Sequence, residues 1–199
     1  MSKSATNRSP AVKKPVAAKA KASAAKATPA VARSAARKPQ AAKAPAPRKA
    51  GASARVYFLN GPNANLYGLT AQGTYGSDTY ETLKRRCEAE AARLGIALRF
   101  LQSNSEGELI DWAQQAMREA DGLIVNGAGL TYTSIALLDA LLAFQGPIVE
   151  VHMSNIYKRE PFRHHSYISK AATGIVAGLG ADGYELAIAA MRRLLDRRA

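Results

Sequence analysis

The sequence is poor in cysteine and has no long apolar run. Cys87 is the one cysteine among 199 residues, so an internal disulfide is excluded and a reducing compartment is expected. Cys87 falls within a helical pattern, where a buried structural thiol is the expected role. No stretch approaches the roughly 18 to 20 consecutive apolar residues that a membrane span requires. We therefore expect a soluble, cytoplasmic protein that does not bind a membrane.

Residues 1–54 lack acidic and aromatic side chains altogether. They hold 13 of the 28 lysines and arginines, so the remaining residues balance at 28 − 13 = 15 basic against 15 acidic side chains. The formal charge of +13 therefore belongs to this segment. With prolines spaced along it and no apolar face to bury, the segment is predicted to be a disordered Ala/Lys/Pro-rich basic tail. Residues 55–199 are predicted to form the folded domain.

Three roles remain open for the tail. Its unopposed positive charges favour contact with DNA, RNA or another polyanion through release of counterions, and its composition resembles the arms of linker-histone-like proteins. A solvated linker with incidental charge is the second role. A transit peptide is the third, favoured by the arginines, serines and missing acids but not by the lysines and prolines.

Downstream of residue 54, apolar strands alternate with helical patterns. Strands are predicted at 56–59, 96–101, 122–125, 148–151 and 174–178, and helices at 79–94, 106–120, 133–144 and 183–193. The strands read as unbroken apolar runs, as in a parallel sheet covered on both faces. Ligands bind such sheets beyond the carboxyl ends of the strands. Polar residues collect at three of these ends, in segments 60–76, 126–133 and 152–165, and these segments are predicted to converge on one cleft.

Several common site motifs are missing. The glycine-rich segment 60–76 matches neither GxGxxG nor GxxxxGK[ST], so no phosphate-binding loop is predicted. The nucleophile elbow GxSxG is also missing. His152, His164 and His165 have no neighbouring cysteine and no HExxH spacing, so neither a metal nor a cofactor is predicted.

The polar residues that remain favour an acid–base site. Glu150 and His152 stand two residues apart on one strand and therefore point to the same side, where the carboxylate can orient the imidazole as a general acid. A satisfied core histidine is the alternative role for this pair. Tyr75 is a phenol in a glycine-flanked turn, where it can reach a ligand or serve in packing.

Four further side chains suit an anionic, hydroxylated ligand. The neutral donors Asn63, Asn126 and Ser154 suit a carboxylate and hydroxyl groups, and Arg163 adds positive charge.

Longer motifs together resemble the type II 3-dehydroquinate dehydratases. These motifs are NGPNxN after the first strand, YG at 75–76, QSNSEGELIDW at 102–112, EVHMSNI at 150–156, REPFRHHSYIS at 159–169 and ATGIVAGLGADGY at 172–184. The resemblance covers essentially all of residues 55–195. It implies a flavodoxin-like α/β domain with a five-stranded parallel sheet in the order 2-1-3-4-5, helices on both faces, and a homododecamer built from trimers.

The resemblance also implies an activity, which is dehydration of 3-dehydroquinate to 3-dehydroshikimate through an enolate, without metal or cofactor. Tyr75 is implied as the base and His152 as the acid, oriented by Glu150. Asn63 is implied to hold the water that steadies the enolate. The implied substrate-binding residues are Asn126, Tyr132, Met153, Ser154, Arg163 and, from a neighbouring subunit, Asp139.

Two residues depart from the family pattern. Thr70 stands where the family has an arginine in the lid, and Tyr132 stands where it has a histidine after the third strand. A phenol ionises near pKa 10, and a cation about 4 Å away at an effective dielectric near 20 is worth on the order of 4 kcal/mol, or roughly three pKa units. The sequence therefore predicts a dehydratase that is impaired by loss of the lid arginine.

Two other functions remain open. One is a catalytically inactive dehydroquinase-like oligomeric scaffold whose basic tails bind nucleic acid or another polyanion. The other is an enzyme of the same fold that acts on a related hydroxy-ketone acid. Retention of Tyr75, Glu150 and His152 favours the dehydratase, whereas Thr70 together with Tyr132 favours the scaffold.

Overall fold

The computed structural model describes residues 53–69 and 78–198. Residues 1–52, residues 70–77 and residue 199 lie outside the described residues. The predicted tail falls almost wholly in the first of these ranges. Thr70 and Tyr75 fall in the second, so the roles expected of them stay predictions.

Five parallel strands form the sheet in the described part of the chain. They are β1 (Ala54–Asn60), β2 (Ile96–Gln102), β3 (Gly122–Asn126), β4 (Ile148–His152) and β5 (Gly174–Ala177). Their spatial order is β2-β1-β3-β4-β5, and each adjacent pair is parallel. The α/β class and the strand order 2-1-3-4-5 are therefore confirmed. The order reverses between β1 and β3, which is the position at which such sheets bind ligands.

Four α-helices in the described ranges cover the two faces of this sheet. α1 (Tyr80–Arg93) and α4 (Asp182–Asp196) lie on one face, and α2 (Glu106–Glu119) and α3 (Ile135–Leu142) lie on the other. Successive side chains of β1 point to opposite faces of the sheet. Phe58 packs in the layer with α1 and α4, and Leu59 packs in the layer with α2 and α3. Covering on both faces explains the unbroken apolar runs. None of these helices is long and apolar enough to cross a membrane.

Side-chain caps set the starts of three helices. Thr79, Ser105 and Ser134 each accept a hydrogen bond from the backbone N–H three residues on, at 3.2, 3.4 and 2.8 Å. The predicted start of the third helix at residue 133 is wrong, because residues 128–132 form a 3-10 turn and Ser134 then caps α3. α4 extends beyond its predicted range at both ends.

Cys87 lies in the layer between the sheet and the pair α1 and α4, where it is fully buried. Burial raises the pKa of its thiol to about 12. The expected burial of this thiol is confirmed, and its environment is that of an unreactive structural cysteine.

The loops after β1 and β3 leave the sheet in direct backbone contact. Asn60 and Asn126 are register partners, and the N–H of Gly61 donates to the carbonyl of Asn126 at 2.8 Å. A Cβ added at Gly61 would lie 2.5 Å from the carbonyl oxygen of Gly127. Backbone atoms cannot rotate away, so a glycine at position 61 is required for this close approach.

Gly61→Ala is expected to lower the free energy of unfolding by about 1–3 kcal/mol, because the added methyl group forces the two strand ends apart. Gly107→Ala is the matched control. Gly107 lies in the first turn of α2, where an added Cβ meets only the Ser105 Oγ at 3.8 Å, and alanine there should be neutral or stabilising. Thermal unfolding followed by circular dichroism measures both variants. A Gly61→Ala midpoint equal to that of the wild type would contradict the prediction.

Candidate active site

A cleft opens at the carboxyl ends of β1, β3 and β4. Its cavity volume is about 180 Å³. The three predicted strand-end segments converge on it, with the first represented by its described part, 60–69. Seven of the ten predicted site residues line this cleft: Asn63, Asn126, Tyr132, His152, Met153, Ser154 and Arg163.

Three predicted site residues do not line the cleft as described. Glu150 lies beneath it, against His152. Asp139 is exposed on α3. Tyr75 lies outside the described residues.

His152 rests on a buried carboxylate. Glu150 Oε1 is 2.7 Å from His152 Nε2, and the two residues are 0% and 5% exposed. Ser166 Oγ donates to Glu150 Oε1 at 2.7 Å, and Ser169 Oγ donates to Oε2. The carboxylate therefore has the imidazole and two hydroxyl groups as hydrogen-bond partners in a position that is shielded from solvent.

Burial alone would raise the pKa of Glu150. Hydrogen bonds from His152, Ser169 and Ser166 outweigh that effect and hold the pKa of this carboxyl below its usual range. Glu150 is therefore ionised near neutral pH and holds the imidazole at Nε2. Nδ1 is then the ring nitrogen for proton exchange with a bound molecule. Sequence reasoning missed the two serines, because their contact depends on how residues 166–169 turn back across the end of β4.

Tyr132 lies between the histidine and an arginine. Its ring stacks on that of His152, with 6.3 Å between centroids and 16° between planes. The guanidinium carbon of Arg163 is 5.3 Å from the centroid of the Tyr132 ring, which is a cation–π contact. Burial raises the pKa of the Tyr132 phenol, although Arg163 opposes that shift. Tyr132 therefore borders the cleft as a neutral hydrogen-bonding group.

Arg159 is a cleft residue that sequence reasoning missed. Its Nη1 donates to Ser154 Oγ at 3.4 Å, and its Nε is 3.5 Å from Glu160 Oε2. The same oxygen is 2.7 Å from Arg163 Nε. Residues 161–164 form a 3-10 turn that brings Arg163 back to Glu160, and Arg159 reaches the same carboxylate as its neighbour in the chain. The RExxR spacing is the signal that predicts such a pair.

Two non-glycine residues with positive φ border the cleft, Asn63 at 67° and Ala128 at 49°. No other non-glycine residue in the described ranges has a positive φ. The Asn63 N–H donates to Asn104 Oδ1 at 2.9 Å, and the Ala128 N–H donates to Asn126 Oδ1 at 3.1 Å. These bonds hold both backbones in the left-handed region. That region is costly for residues other than glycine, and more so for alanine than for asparagine.

Asn126 is held by bonds within the protein. Its Nδ2 donates to the hydroxyls of Tyr67 at 2.9 Å and Tyr184 at 2.5 Å. The Tyr184 hydroxyl in turn donates to Asn60 Oδ1 at 3.1 Å. Both amide hydrogens of Asn126 are therefore used internally, and only its Oδ1 retains acceptor capacity for a ligand. Its substrate-binding role stays a prediction.

Comparison with known proteins places the domain among its relatives. The family model described as Dehydroquinase class II matches residues 54–192. The 3-dehydroquinate dehydratase of Cereibacter sphaeroides (strain KD131 / KCTC 12085) is 50% identical over 133 residues, covering 67% of this chain and 90% of that protein. The protein of the same name from Caulobacter vibrioides is 52% identical over 135 residues, covering 68% and 92%. The crystal structure of the type II dehydroquinase from Propionibacterium acnes is 38% identical with a TM-score of 0.68, covering 71% of this chain and 97% of that one.

Glu150→Gln is expected to destabilise the protein by about 1–3 kcal/mol at pH 7, because a neutral amide accepts fewer of the bonds donated to this buried position. The pKa of Glu150 is depressed in the folded protein. Its ionised form therefore stabilises the fold above the unfolded pKa, near 4.3, and this contribution is lost as pH falls through the folded value. The difference between wild type and variant should be largest at neutral pH and shrink below about pH 4.

Thermal midpoints of the wild type and Glu150→Gln between pH 3 and 8 measure this difference. Glu88→Gln, which changes an exposed carboxylate on α1, is the matched control and should stay close to the wild type. A gap between wild type and Glu150→Gln that does not change with pH would contradict the linkage.

Proposed function

The chain belongs to the class II dehydroquinase family, and we propose that it removes water from 3-dehydroquinate to give 3-dehydroshikimate. The observation that carries the proposal is the His152 imidazole held at 2.7 Å by the buried Glu150 carboxylate. A general acid for a departing hydroxyl needs an imidazole that is oriented from one side and open to the ligand on the other. The relatives named 3-dehydroquinate dehydratase support the identity of the substrate.

In the proposed reaction, the phenolate of Tyr75 removes a proton from the carbon next to the ketone. The C–H electron pair forms an enolate on the ketone oxygen. The enolate then collapses to restore the ketone and form a carbon–carbon double bond, which expels the neighbouring hydroxyl. His152 protonates that hydroxyl, which leaves as water. One proton is taken and one is given, so no cofactor is consumed. The role of Tyr75 rests on its place in the YG motif.

The rim of the cleft suits an anionic substrate. Arg159 and Arg163 both border it. Glu160 offsets one of these two positive charges, and the charge that remains attracts a carboxylate, while the guanidinium N–H groups can bind hydroxyls. We assign Ser154 and the neighbouring Met153 to substrate binding, and Asn63 to the water that steadies the enolate. Tyr132 takes the place of the family histidine as a neutral group stacked on His152.

We extend the proposal to an assembly of subunits, because Asp139 does not line the cleft of its own chain. Asp139 follows Ile135 by four residues and precedes Leu142 by three, so the three residues share one face of α3. Ile135 and Leu142 are 58% and 55% exposed. Such an apolar face fits burial against another copy of the chain, which would bring Asp139 to a neighbouring cleft. The assembly we propose is a homododecamer built from trimers.

Incubation of the purified protein with 3-dehydroquinate tests the proposal. The product is a conjugated ketone, so rising ultraviolet absorbance reports turnover. His152→Asn is expected to lower kcat by about 100-fold or more, because it removes the general acid. His164→Asn is the matched control, since His164 is exposed and does not line the cleft, and it should turn over as the wild type does. No turnover by the wild type at any pH up to about 10 would refute the proposal and favour the scaffold.

As long as proton abstraction by Tyr75 is the slow step, turnover is also expected to rise about tenfold per pH unit from pH 7 toward 9, because Thr70 supplies no charge to lower the pKa of the Tyr75 phenol. Thr70→Arg restores that charge and is expected to raise kcat at pH 7 by about 10- to 1,000-fold and to flatten the pH profile. Thr70→Gln is the matched control, since it lengthens the same side chain without adding charge, and it should leave kcat at pH 7 close to that of the wild type. A wild-type profile that is flat from pH 6 to 9, together with no gain in kcat from Thr70→Arg, would show that another group already lowers the phenol pKa.

A further inference from the structure

A buried tyrosine lies in the wall of the cleft. Tyr67 follows the 3-10 turn Ala64–Leu66, and its backbone N–H donates to the carbonyl of Ala64 at 3.2 Å. Its ring packs in the layer of the core that holds α1 and α4, and the residue is 5% exposed. Tyr67 nevertheless borders the cleft. The proposed reaction gives this phenol no role.

The hydroxyl of Tyr67 contacts a residue that we assign to substrate binding. Asn126 Nδ2 donates to the Tyr67 hydroxyl at 2.9 Å and to the Tyr184 hydroxyl at 2.5 Å. Asn126 is 3% exposed, so water does not readily replace either phenol. An amide nitrogen carries two hydrogens, and here both are directed at tyrosine oxygens.

A backbone group identifies the two ends of the Asn126 carboxamide. The backbone nitrogen of Ala128 is 3.1 Å from Asn126 Oδ1. A backbone N–H only donates, so the side-chain atom that faces it must be the oxygen. Phenols both donate and accept, so they do not decide the orientation by themselves. Because Ala128 holds the oxygen, the nitrogen faces Tyr67 and Tyr184.

This orientation limits what Asn126 can bind. Both of its hydrogens are occupied, and its oxygen retains one lone pair for a ligand. An oxygen acceptor binds a hydroxyl group, which donates, but it repels a carboxylate, which only accepts. Asn126 therefore suits a hydroxyl group of the ligand, and the donors for a carboxylate lie at Ser154 and the arginines of the rim.

The two phenols differ in their access to a ligand. Tyr184 is fully buried and does not border the cleft, whereas Tyr67 does. The amide hydrogen that Tyr67 accepts is therefore the one within reach of a bound molecule. Removal of the Tyr67 hydroxyl would leave this hydrogen without its acceptor at the cleft wall.

We propose that Tyr67 is a specificity-determining residue of the cleft, because it occupies the Asn126 hydrogen that a carboxylate would otherwise bind. It thereby directs Asn126 to a hydroxyl group of the ligand. This inference deepens the proposed function and rests on it for the class of ligand, which is a hydroxylated cyclic carboxylate. Discrimination by a fixed buried hydrogen-bonding group is an effective way to reject a ligand that lacks the matching group.

Tyr67→Phe tests this role with a pair of ligands. Quinate has a six-membered ring, a carboxylate and several hydroxyl groups, whereas cyclohexanecarboxylate has only the ring and the carboxylate. The variant frees one Asn126 hydrogen, so cyclohexanecarboxylate should bind about three- to tenfold more tightly, in keeping with the net worth of one hydrogen bond. Quinate places a hydroxyl at Asn126 already, and its affinity should change by less than about twofold. Tyr67→Leu frees the same hydrogen and is a second variant for the test.

Tyr80→Phe is the matched control. It removes a phenol hydroxyl at the edge of the same core layer, and Tyr80 does not border the cleft. Both affinities should stay at their wild-type values. Asn126→Ala removes the carboxamide and should weaken quinate binding. In that background, Tyr67→Phe should change neither affinity, because Tyr67 acts through Asn126.

Ligand-observed NMR titration measures these affinities without turnover, so its result is separate from that of the dehydration assay. If the wild type does not convert 3-dehydroquinate but prefers quinate, and Tyr67→Phe gains affinity for cyclohexanecarboxylate alone, the proposed reaction fails and the role of Tyr67 is upheld. No gain for cyclohexanecarboxylate would overturn the inference, as would an equal gain for both ligands. A wild type without preference for quinate, or the same gain in the Asn126→Ala background, would overturn it as well.

Discussion

The hydroxyl of Tyr184 joins the two strand ends between which the cleft opens. It donates to Asn60 at the end of β1 and accepts from Asn126 at the end of β3. The phenol is fully buried, and burial raises its pKa well above the ordinary value, so no water competes for these bonds. They fix the point at which the segments after β1 and β3 separate. The first segment continues toward Asn63 and the second toward Tyr132. α4 therefore shapes the cleft although none of its residues lines it.

The buried charge of Glu150 imposes a second constraint. An ionised carboxylate in the interior is costly unless donors surround it. Here the donors come from its own strand, through His152, and from Ser166 and Ser169 beyond the arginine-bearing 3-10 turn. The return of residues 166–169 to β4 therefore orients the imidazole and also holds the basic turn at the rim. Fixed groups form the floor of the cleft, and positively charged groups form its edge.

Sequence patterns predict the sheet well because strands buried on both faces leave a strong apolar signal. The pairing of Glu150 with His152 was also predictable, since alternation along a strand places such residues on one side. The bonds from Tyr184 and the two serines were not, because they join segments that only tertiary folding brings together. Helix α3 was predicted too long by two residues at each end, because apolar periodicity does not mark where the cap residues Ser134 and Ala143 separate the helix from its flanks. The roles of Thr70 and Tyr75 depend on the resemblance alone.

Cys87 leaves the protein without a reactive thiol. Thiol reagents attack the thiolate, and a fully buried sulfur whose pKa is about 12 presents almost none of it at neutral pH. A cysteine introduced on the surface would therefore be the single point of attachment for a fluorophore or spin label, without prior removal of the native residue. The wild-type chain is already a background for site-directed spectroscopy of the segments around the cleft.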